Sequence, residues 1–274
     1  MEIPNELKDF RNFVYLAWDH LGLPEPTPVQ YDISEYLQDG PRRQIILAYR
    51  GVGKSYLTSA YVCWRLLLDP SLNILVVSAS KNRSDDFSTF TQRLINEMDI
   101  LAHLKARPEQ RDSKIAFDVG PAPASHAPSV KAVGITGQLT GSRADLIVAD
   151  DVESLNNSET QGMRDKLGNL VKEFDSILKP DGQIRYLGTY QTEMSLYKIL
   201  PDRGYTPRVW TGRYPKSEKV AAYGSYLAPY ILDKITDDPS LEGTPVDPKR
   251  FDEDDLVERE LSYGRSGFAL QFML

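Results

Sequence analysis

The sequence predicts an α/β fold of three layers, with a mostly parallel central sheet and helices on both of its faces. Two observations support this prediction. Five short apolar segments, at residues 44–47, 73–79, 145–149, 183–187 and 209–213, alternate with segments of helical periodicity. The first of them leads through a glycine-rich turn into an apolar helix, which is the local order that a phosphate-binding loop requires.

The glycine-rich turn is the run Ala48-Tyr49-Arg50-Gly51-Val52-Gly53-Lys54-Ser55-Tyr56. Glycines allow successive backbone N–H groups to surround a phosphate at the positive end of the helix that follows. Lys54 is expected to reach the β- and γ-phosphates of ATP, and the Ser55 hydroxyl is expected to bind Mg²⁺. The turn therefore predicts a P-loop NTPase fold. Ala48 departs from the strict pattern, which has glycine there, and an ordinary strand-to-helix turn is the alternative.

A helical N-terminal segment, residues 1–42, precedes this loop. Residues 5–22 have an amphipathic helical pattern, and a second helix is predicted around residues 31–37, behind Pro26-Thr27-Pro28. Gln30, at the entrance of the second helix, is predicted to pair its amide with adenine, because the amide offers both a donor and an acceptor. A surface glutamine at a helix N-terminus is the alternative.

The strand at residues 145–149 ends in the acidic run Asp150-Asp151-Val152-Glu153. Ligands of open α/β sheets bind at the carboxyl ends of the strands. Asp150 is predicted to hold the Mg²⁺ of a bound triphosphate, and a neighbouring carboxylate is predicted to orient the attacking water. The sequence does not decide whether Asp151 or Glu153 has that second role. An acidic helix N-cap is the alternative for the whole run.

The remaining segments are less specific. A turn is predicted at Pro180-Asp-Gly182, before the strand at 183–187, and the hydroxyl of Thr189 after that strand is placed to sense the γ-phosphate. A polar helix opens at residues 80–84, where basic groups either contact a phosphate backbone or face solvent. Residues 105–130 are loop-rich, with a short strand predicted at 115–119.

The composition limits the function classes. The chain has no apolar run of bilayer length and no signal-peptide pattern at its N-terminus, so a soluble intracellular protein is expected. Cys63 is the one cysteine, which excludes a disulfide framework and a cysteine-based zinc site. Residues 233–260 contain eleven acidic and four basic side chains and so account for the whole formal charge of −7. Basic patches elsewhere on the surface are therefore permitted.

The character of the sequence changes after Pro215, where it becomes tyrosine-rich and then acidic and rich in proline. We predict that residues 1–215 form the ATPase core. Residues 216–274 are predicted to form an extension that packs on this core, since they show little periodicity and no second sheet pattern.

Four motifs in chain order resemble the large terminase subunit of tailed phages, most closely the type of short-tailed phages, also called DNA maturase B. They lie at residues 49–55, 137–151, 188–190 and 267–274. The resemblance implies an ATPase motor that translocates double-stranded DNA into a procapsid. It implies that Arg50 senses the γ-phosphate in cis, that Thr189 links hydrolysis to movement, and that Arg143 is an arginine finger acting in trans. A salt bridge to a nearby carboxylate is the alternative for Arg143.

The resemblance also implies partners: the portal protein, the small terminase subunit, and other copies of the chain in a ring, in the host cytoplasm and without a membrane. Large subunits of this family carry an N-terminal ATPase and a C-terminal nuclease. The motif at 267–274 resembles a segment near the end of the ATPase part, so nuclease activity is not expected here. Two alternatives are a helicase-like or DNA-remodelling ATPase, and an assembly module that nucleotide orders without turnover.

Overall fold

The computed structural model describes residues 3–274, so Met1 and Glu2 of the predicted N-terminal segment lie outside the described residues. Its centre is a seven-stranded sheet of order β3-β4-β2-β5-β6-β1-β7. The strands are β1 (Arg43–Ala48), β2 (Ile74–Ser78), β3 (Ala116–Phe117), β4 (Val130–Gly134), β5 (Ala144–Asp150), β6 (Leu178–Gly188) and β7 (Thr206–Trp210). Of the strand pairs in this sheet, β3–β4 at the edge is antiparallel and the other five are parallel. The predicted α/β fold is confirmed.

Helices cover both faces of the sheet. They are α1 (Phe10–His20), α2 (Pro28–Asp39), α3 (Lys54–Leu68), α4 (Lys81–Glu97), α5 (Leu155–Ser158), α6 (Gln161–Leu170), α7 (Glu173–Ile177), α8 (Ser217–Tyr223), α9 (Pro229–Asp237) and α10 (Glu253–Phe268). A π-helical turn, Ala269–Met273, follows α10. Among residues 3–274, no helix combines the length and the apolar character that crossing a bilayer requires.

Two separate hydrophobic cores lie on the two faces, because successive side chains of a strand point to opposite sides. Ile46 and Ala48 of β1 pack with helices α1 to α4, whereas Ile45 and Leu47 pack with α6 and α7. The first core also contains apolar side chains of α9, α10 and the π-helical turn. Helices α9 and α10 and the π-helical turn therefore share one hydrophobic core with α1 to α4.

Three sequence predictions about strands need correction. Strand β4 was not predicted, because its buried and half-buried positions alternate over only five residues and form no continuous apolar run. Strand β3 has two residues, not the predicted 115–119. Strand β7 begins at Thr206 and not at residue 209, and it tolerates Pro207 because it is an edge strand.

The predicted turn at residues 180–182 was wrong as a strand boundary, since β6 runs from Leu178 to Gly188. Asp181 nevertheless has a left-handed φ of 62°. The pairing with β5 shifts between Ala144↔Leu178 and Leu146↔Gln183, so β6 carries extra residues there as a bulge. The turn-forming residues thus bend the strand without ending it.

The strand order brings three distant segments to one edge of the sheet. Strands β5, β6 and β1 are neighbours and parallel, with Asp150 opposite Leu187 and Leu47 opposite Gly188. Because carboxyl ends of parallel strands share an edge, the loop after β1, the acidic run after β5 and Thr189 after β6 meet there.

Candidate nucleotide-binding site

The loop after β1 closes tightly around the N-terminus of α3. Gly51 and Gly53 have φ values of 93° and 99°, in the left-handed region that favours glycine. Helix α3 begins at Lys54, so the N–H groups of its first turn have no intrahelical partners and are available to an anion. This geometry is that of a phosphate-binding loop, with Ala48 as the last residue of β1.

Lys54 is buried and lies at the end of the strands. Its Nζ donates to the carbonyl of Ala48 at 2.8 Å and to the hydroxyl of Thr189 at 2.8 Å, with a longer contact to the carbonyl of Tyr49 at 3.4 Å. Burial lowers the pKa of Lys54, and the nearby carboxylates of Asp151 and Asp150 partly oppose this shift. A buried cation held by neutral oxygens gains from a negatively charged partner such as a phosphate.

Thr189 joins two strand ends. Its hydroxyl donates to the carbonyl of Ala48 at 3.1 Å and accepts the bond from Lys54. The side chain is buried, so these bonds are not exposed to competition from solvent. The predicted Lys54 and Thr189 are therefore in direct contact, at the point where β6 and β1 end.

Asp150 and Asp151 lie beside Lys54 with oxygens that have no partner. Asp150 is buried, and both its Oδ1 and the Oδ1 of Asp151 make no hydrogen bond within residues 3–274. Burial and the neighbouring charge of Asp151 raise the pKa of Asp150 to about 7, while Lys54 and the Ser55 hydroxyl oppose the shift. Asp151 has a left-handed φ of 46°, which is unusual for a residue other than glycine.

This chemistry fits Mg²⁺. A buried carboxylate oxygen without a donor, beside the hydroxyl of Ser55, is a hard oxygen site that a cation would satisfy. Within residues 3–274, no group of three or more His, Cys, Asp or Glu side chains is arranged to hold a metal. Mg²⁺ in nucleotide sites does not need such a cage, because substrate phosphates and water supply the remaining ligands.

Glu153 is tied to another part of the chain. Its Oε2 accepts hydrogen bonds from the Ser195 hydroxyl at 2.7 Å and from the Leu196 N–H at 2.6 Å, while its Oε1 has no partner in the described residues. Burial raises the pKa of Glu153, and these two bonds oppose the shift. Ser154 is the N-cap residue of α5, so the alternative of an acidic N-cap does not describe the run at 150–153.

One cavity of about 470 Å³ brings most of the predicted site residues together. Its walls include Arg50, Gly51, Gly53, Lys54, Ser55, Tyr56, Asp151, Glu153 and Thr189. Asp150 is not among the residues that line this cavity; it lines another cavity, together with Ser55 and Asp151. The volume is in the range of small-molecule sites.

Gln30 lines an adjoining cavity of about 350 Å³, together with Trp18, Tyr56 and Arg250. Gln30 is 4% exposed, so the alternative of a surface glutamine is wrong. Its Nε2 donates to the carbonyl of Val52 at 2.8 Å, and its Oε1 accepts from the N–H of Thr27 at 3.0 Å. One N–H and one lone pair of the amide remain for a ligand.

Comparison with known proteins gives a relative of high similarity. The large terminase subunit of Enterobacteria phage T3 is 54% identical over 272 residues, which are 97% of this chain and 46% of that protein. Nearly the whole of this chain is therefore similar in sequence to a phage large terminase subunit. It spans about half the length of the curated relative that it matches. No protein-family model matches the chain.

Two solved terminase structures share the fold. The large terminase of bacteriophage HK97 has a TM-score of 0.59 and 15% identity, covering 97% of this chain and 54% of that one. A mutant ATPase domain of the large terminase of Thermus phage P74-26 has a TM-score of 0.53 and 13% identity, covering 93% of this chain and 96% of that one. At these identities the likeness concerns the fold alone, and that fold is the one of a terminase ATPase domain.

Three of the predicted residues have side chains that point away from this cavity. The Tyr49 side chain is buried and its hydroxyl donates to Asp247, and the Val52 side chain lies in the core. Only the backbone groups of these two residues are therefore available to a phosphate. Arg143 directly precedes β5, seven residues before Asp150, which is about 23 Å along an extended strand at roughly 3.3 Å per residue. Its guanidinium donates to the carbonyls of Ser142 and Ser176, not to the carboxylate that the alternative predicted.

Six polar residues of the cavity were not predicted as site residues: Arg83, Ser154, Asn156, Gln191, Arg250 and Gln271. Arg83 lies in the first turn of α4, and its Nη1 is 3.9 Å from Asp151, so the basic start of this helix faces the cavity. The sequence signal was the basic start of α4, which comes just after β2. The structure then places β2 beside β5, so the ends of both strands lie at the cavity. Arg250 and Gln271 lie in residues 216–274; no local pattern marks Arg250, and Gln271 lies in the motif at 267–274, which did not single it out as a site residue.

Proposed function

We propose that this chain is an ATP-hydrolysing motor that translocates double-stranded DNA into a phage procapsid. The observation that carries the proposal is the convergence of Lys54, Thr189 and the carboxylates after β5 on one cavity, in a chain 54% identical to a phage large terminase subunit. Each of these groups corresponds to one requirement of phosphoryl transfer.

ATP would bind with its phosphates over the loop at residues 49–55. Lys54 would exchange its bond to the Ala48 carbonyl for the β- and γ-phosphate oxygens, which are stronger partners because they are charged. Ser55 and Asp150 would hold Mg²⁺, which supplies charge stabilisation of the transferred phosphoryl group. Arg50, on the cavity wall, would sense the γ-phosphate.

Asp151 is the better candidate for the carboxylate that orients the attacking water. It is the carboxylate with the largest electrostatic influence on Lys54, and its side chain is partly accessible from the cavity. Its left-handed backbone is the kind of local strain that occurs at functional sites. Glu153 has one oxygen committed to Ser195 and Leu196, so we assign it a positioning role.

The adenine would occupy the adjoining cavity, where Gln30 offers its remaining donor and acceptor. Trp18 and Tyr56 supply aromatic walls, and Lys249 and Arg250 supply positive charge. Arg250 also lines the first cavity, and its Nε donates to the carbonyl of Gly51 at 2.8 Å. The extension would therefore contribute to binding the nucleotide.

Assembly would complete the site. Arg143 lies too far along β5 to reach the cavity of its own subunit, which favours action on a neighbouring copy in a ring. The ring would sit on the portal protein in the host cytoplasm, receive DNA with the small terminase subunit, and grip DNA through its phosphates. Such binding weakens strongly with salt.

The decisive experiment is ATP turnover per subunit as protein concentration rises, with Lys54→Ala as the blank. We expect turnover that depends on Mg²⁺, and a loss of at least about 100-fold in Lys54→Ala, because the lysine stabilises charge in the transition state. Binding of ATP without turnover at any concentration would instead support the nucleotide-ordered assembly module. Strand separation would support the helicase-like alternative.

Mixing two inactive variants tests the role of Arg143. Arg143→Ala retains its own loop, and Lys54→Ala retains its arginine, so a mixed ring contains some complete sites. We expect turnover of the mixture above the sum of the separate variants, and MgADP affinity unchanged in Arg143→Ala. A mixture no more active than its components, or a loss of MgADP affinity, would contradict action in trans.

A further inference from the structure

Gln271 connects two parts of the cavity that are far apart in sequence. It is buried in the π-helical turn Ala269–Met273 and lines the cavity. Its Oε1 accepts from Nη1 of Arg50 at 3.2 Å, and its Nε2 donates to the carbonyl of Tyr190 at 2.5 Å. Its own carbonyl accepts from the N–H of Arg50 at 3.0 Å. One side chain thus joins the loop after β1 to the residue that follows Thr189.

The turn that carries Gln271 is fixed on both sides. The carbonyl of Phe272 accepts from the N–H of Gly212 at 2.6 Å, just beyond β7, and the carbonyl of Met273 accepts from the Tyr223 hydroxyl at 2.8 Å. The side chain of Phe272 is buried in the core. These contacts hold the turn of Gln271 independently of the Arg50 side chain, as a positioning group requires.

We propose that Gln271 is a positioning residue that fixes Arg50 at the γ-phosphate end of the cavity and links that position to the 189–190 segment. The inference rests on the proposed function. The hydrogen bond to Gln271 uses one of the five N–H donors of the Arg50 guanidinium, which leaves the other four for phosphate oxygens. A glutamine suits this task because its amide is neutral and leaves the charge of Arg50 available, whereas a carboxylate would neutralise it.

A movement of Arg50 or of the 189–190 segment would then affect the other through Gln271. A shift of Arg50 on contact with a γ-phosphate would be passed to the Gln271 amide that holds it, and the carbonyl of Tyr190 is the next group along the same chain of bonds. Loss of the γ-phosphate would reverse the change. Gln271 would thus transmit the state of the nucleotide to the strand end that carries Thr189.

The variant Gln271→Met tests this role, since it keeps the size of the side chain and removes both hydrogen-bonding groups. We expect turnover to fall about tenfold, the typical effect of losing one charge-assisted hydrogen bond. Affinity for a non-hydrolysable ATP analogue should fall by a similar factor, and MgADP affinity should stay within about twofold, because ADP lacks the phosphate that Arg50 senses.

A double-mutant cycle with Arg50→Ala separates positioning from a merely structural role. If Gln271 acts through Arg50, the double variant should be no less active than Arg50→Ala alone. Gln191→Ala is the matched control, because Gln191 lines the same cavity and donates to the Thr189 carbonyl at 3.2 Å, without contacting Arg50. Its effect should multiply with that of Arg50→Ala. Multiplying effects for Gln271→Met would overturn the proposal.

Two further measurements distinguish a failure of the Gln271 proposal from a folding defect of Gln271→Met and from a failure of the proposed function. If Gln271→Met does not fold, Gln271→Glu retains an acceptor for Arg50, and it should lower affinity for the ATP analogue far more than MgADP affinity. If the wild-type chain does not hydrolyse ATP, the proposed function fails, while the ratio of analogue to MgADP affinity still tests Gln271. An unchanged ratio in both variants would exclude a link between Gln271 and Arg50.

Discussion

At the scale of single residues, the site contains buried polar groups, for which the loss of a hydrogen-bond partner costs more free energy than it does in water. Glu153 and Asp151 are two residues apart, yet their surroundings differ. Glu153 is 1% exposed and accepts bonds from Ser195 and Leu196, whereas Asp151 has its nearest cation, Arg83, at 3.9 Å. Neighbouring carboxylates in different surroundings usually have different tasks.

This difference predicts how substitutions of the two carboxylates separate. Asp151→Asn should lower turnover about 100-fold with little change in stability, because in the proposed mechanism the attacking water loses its orienting carboxylate. Glu153→Ala should lower the free energy of unfolding by about 2 kcal/mol, because two buried donors lose their acceptor. Steady-state turnover and urea unfolding measure the two effects. The roles of the two carboxylates would be reversed by two results together. These are full turnover in Asp151→Asn, and loss of turnover without loss of stability in Glu153→Gln.

At the scale of elements, the loop at residues 49–55 depends on a neighbour from the extension for its shape. A Cβ added to Gly51 would lie 2.7 Å from the ring of Phe251, in a backbone conformation with φ of 93°. The Phe251 ring also packs on Tyr49 and Phe272 in edge-on contacts. Gly51 is thus required both by its own φ and by the approach of the ring.

Gly51→Ala should therefore cost more than backbone strain alone. Gly141 has a similar φ of 84° with no atom near the added Cβ, so Gly141→Ala is the matched control. We expect about 1 kcal/mol of destabilisation for Gly141→Ala and about 3 kcal/mol for Gly51→Ala, with nucleotide binding lost only in the latter. Urea unfolding and MgADP titration measure both effects. Phe251→Leu should restore part of the stability of Gly51→Ala, and no recovery would mean that the ring is not the obstacle.

At the scale of the whole molecule, Asp247 joins three regions of the chain. Its Oδ2 accepts from the hydroxyl of Thr27 at 2.7 Å, at the start of α2, and from the hydroxyl of Tyr49 at 3.0 Å, in the loop after β1. Burial raises the pKa of Asp247, and the two hydroxyl bonds oppose the shift. The division into a core at 1–215 and an extension at 216–274 stays a prediction, and contacts such as these cross it.

The raised pKa of Asp247 gives a pH dependence with a definite sign. A carboxyl whose pKa is raised by folding favours the folded state below its unfolded pKa of about 3.8, and this contribution is lost as the pH rises through the folded value. Asp247→Asn keeps an oxygen for both hydroxyls and removes the charge. Its stability relative to wild type should therefore increase from pH 4 to pH 7.5.

Urea unfolding at several pH values measures this trend. Asp247→Ala should be less stable by about 2 kcal/mol throughout the range, because Thr27 and Tyr49 lose their common acceptor. Asp254→Asn is the control, since Asp254 is exposed in the first turn of α10 and its substitution should give no such gain at higher pH. A flat difference between Asp247→Asn and wild type would mean that the charge is not destabilising when buried.

The sequence by itself determined the features that are local. The glycine-rich turn between an apolar strand and a helix predicted Lys54 and Ser55 as site residues. Asp150 at the end of β5 and Thr189 just after β6 indicated the edge of the sheet, because the carboxyl ends of parallel strands share an edge. The same local patterns predicted the α/β fold. Weak patterns failed, as in β4, where alternation over five residues is too short to distinguish from a loop.

Only the tertiary structure decided which distant groups complete the cavity. Gln271, Arg250 and Asp247 contact a loop about 200 residues earlier in the chain, and Glu153 is held by Ser195 and Leu196. Periodicity and turn chemistry report on neighbours along the chain, whereas these contacts depend on how helices of the extension pack against the first core. Packing is set by the burial of many apolar side chains at once, so no single segment contains the information that places a glutamine beside Arg50.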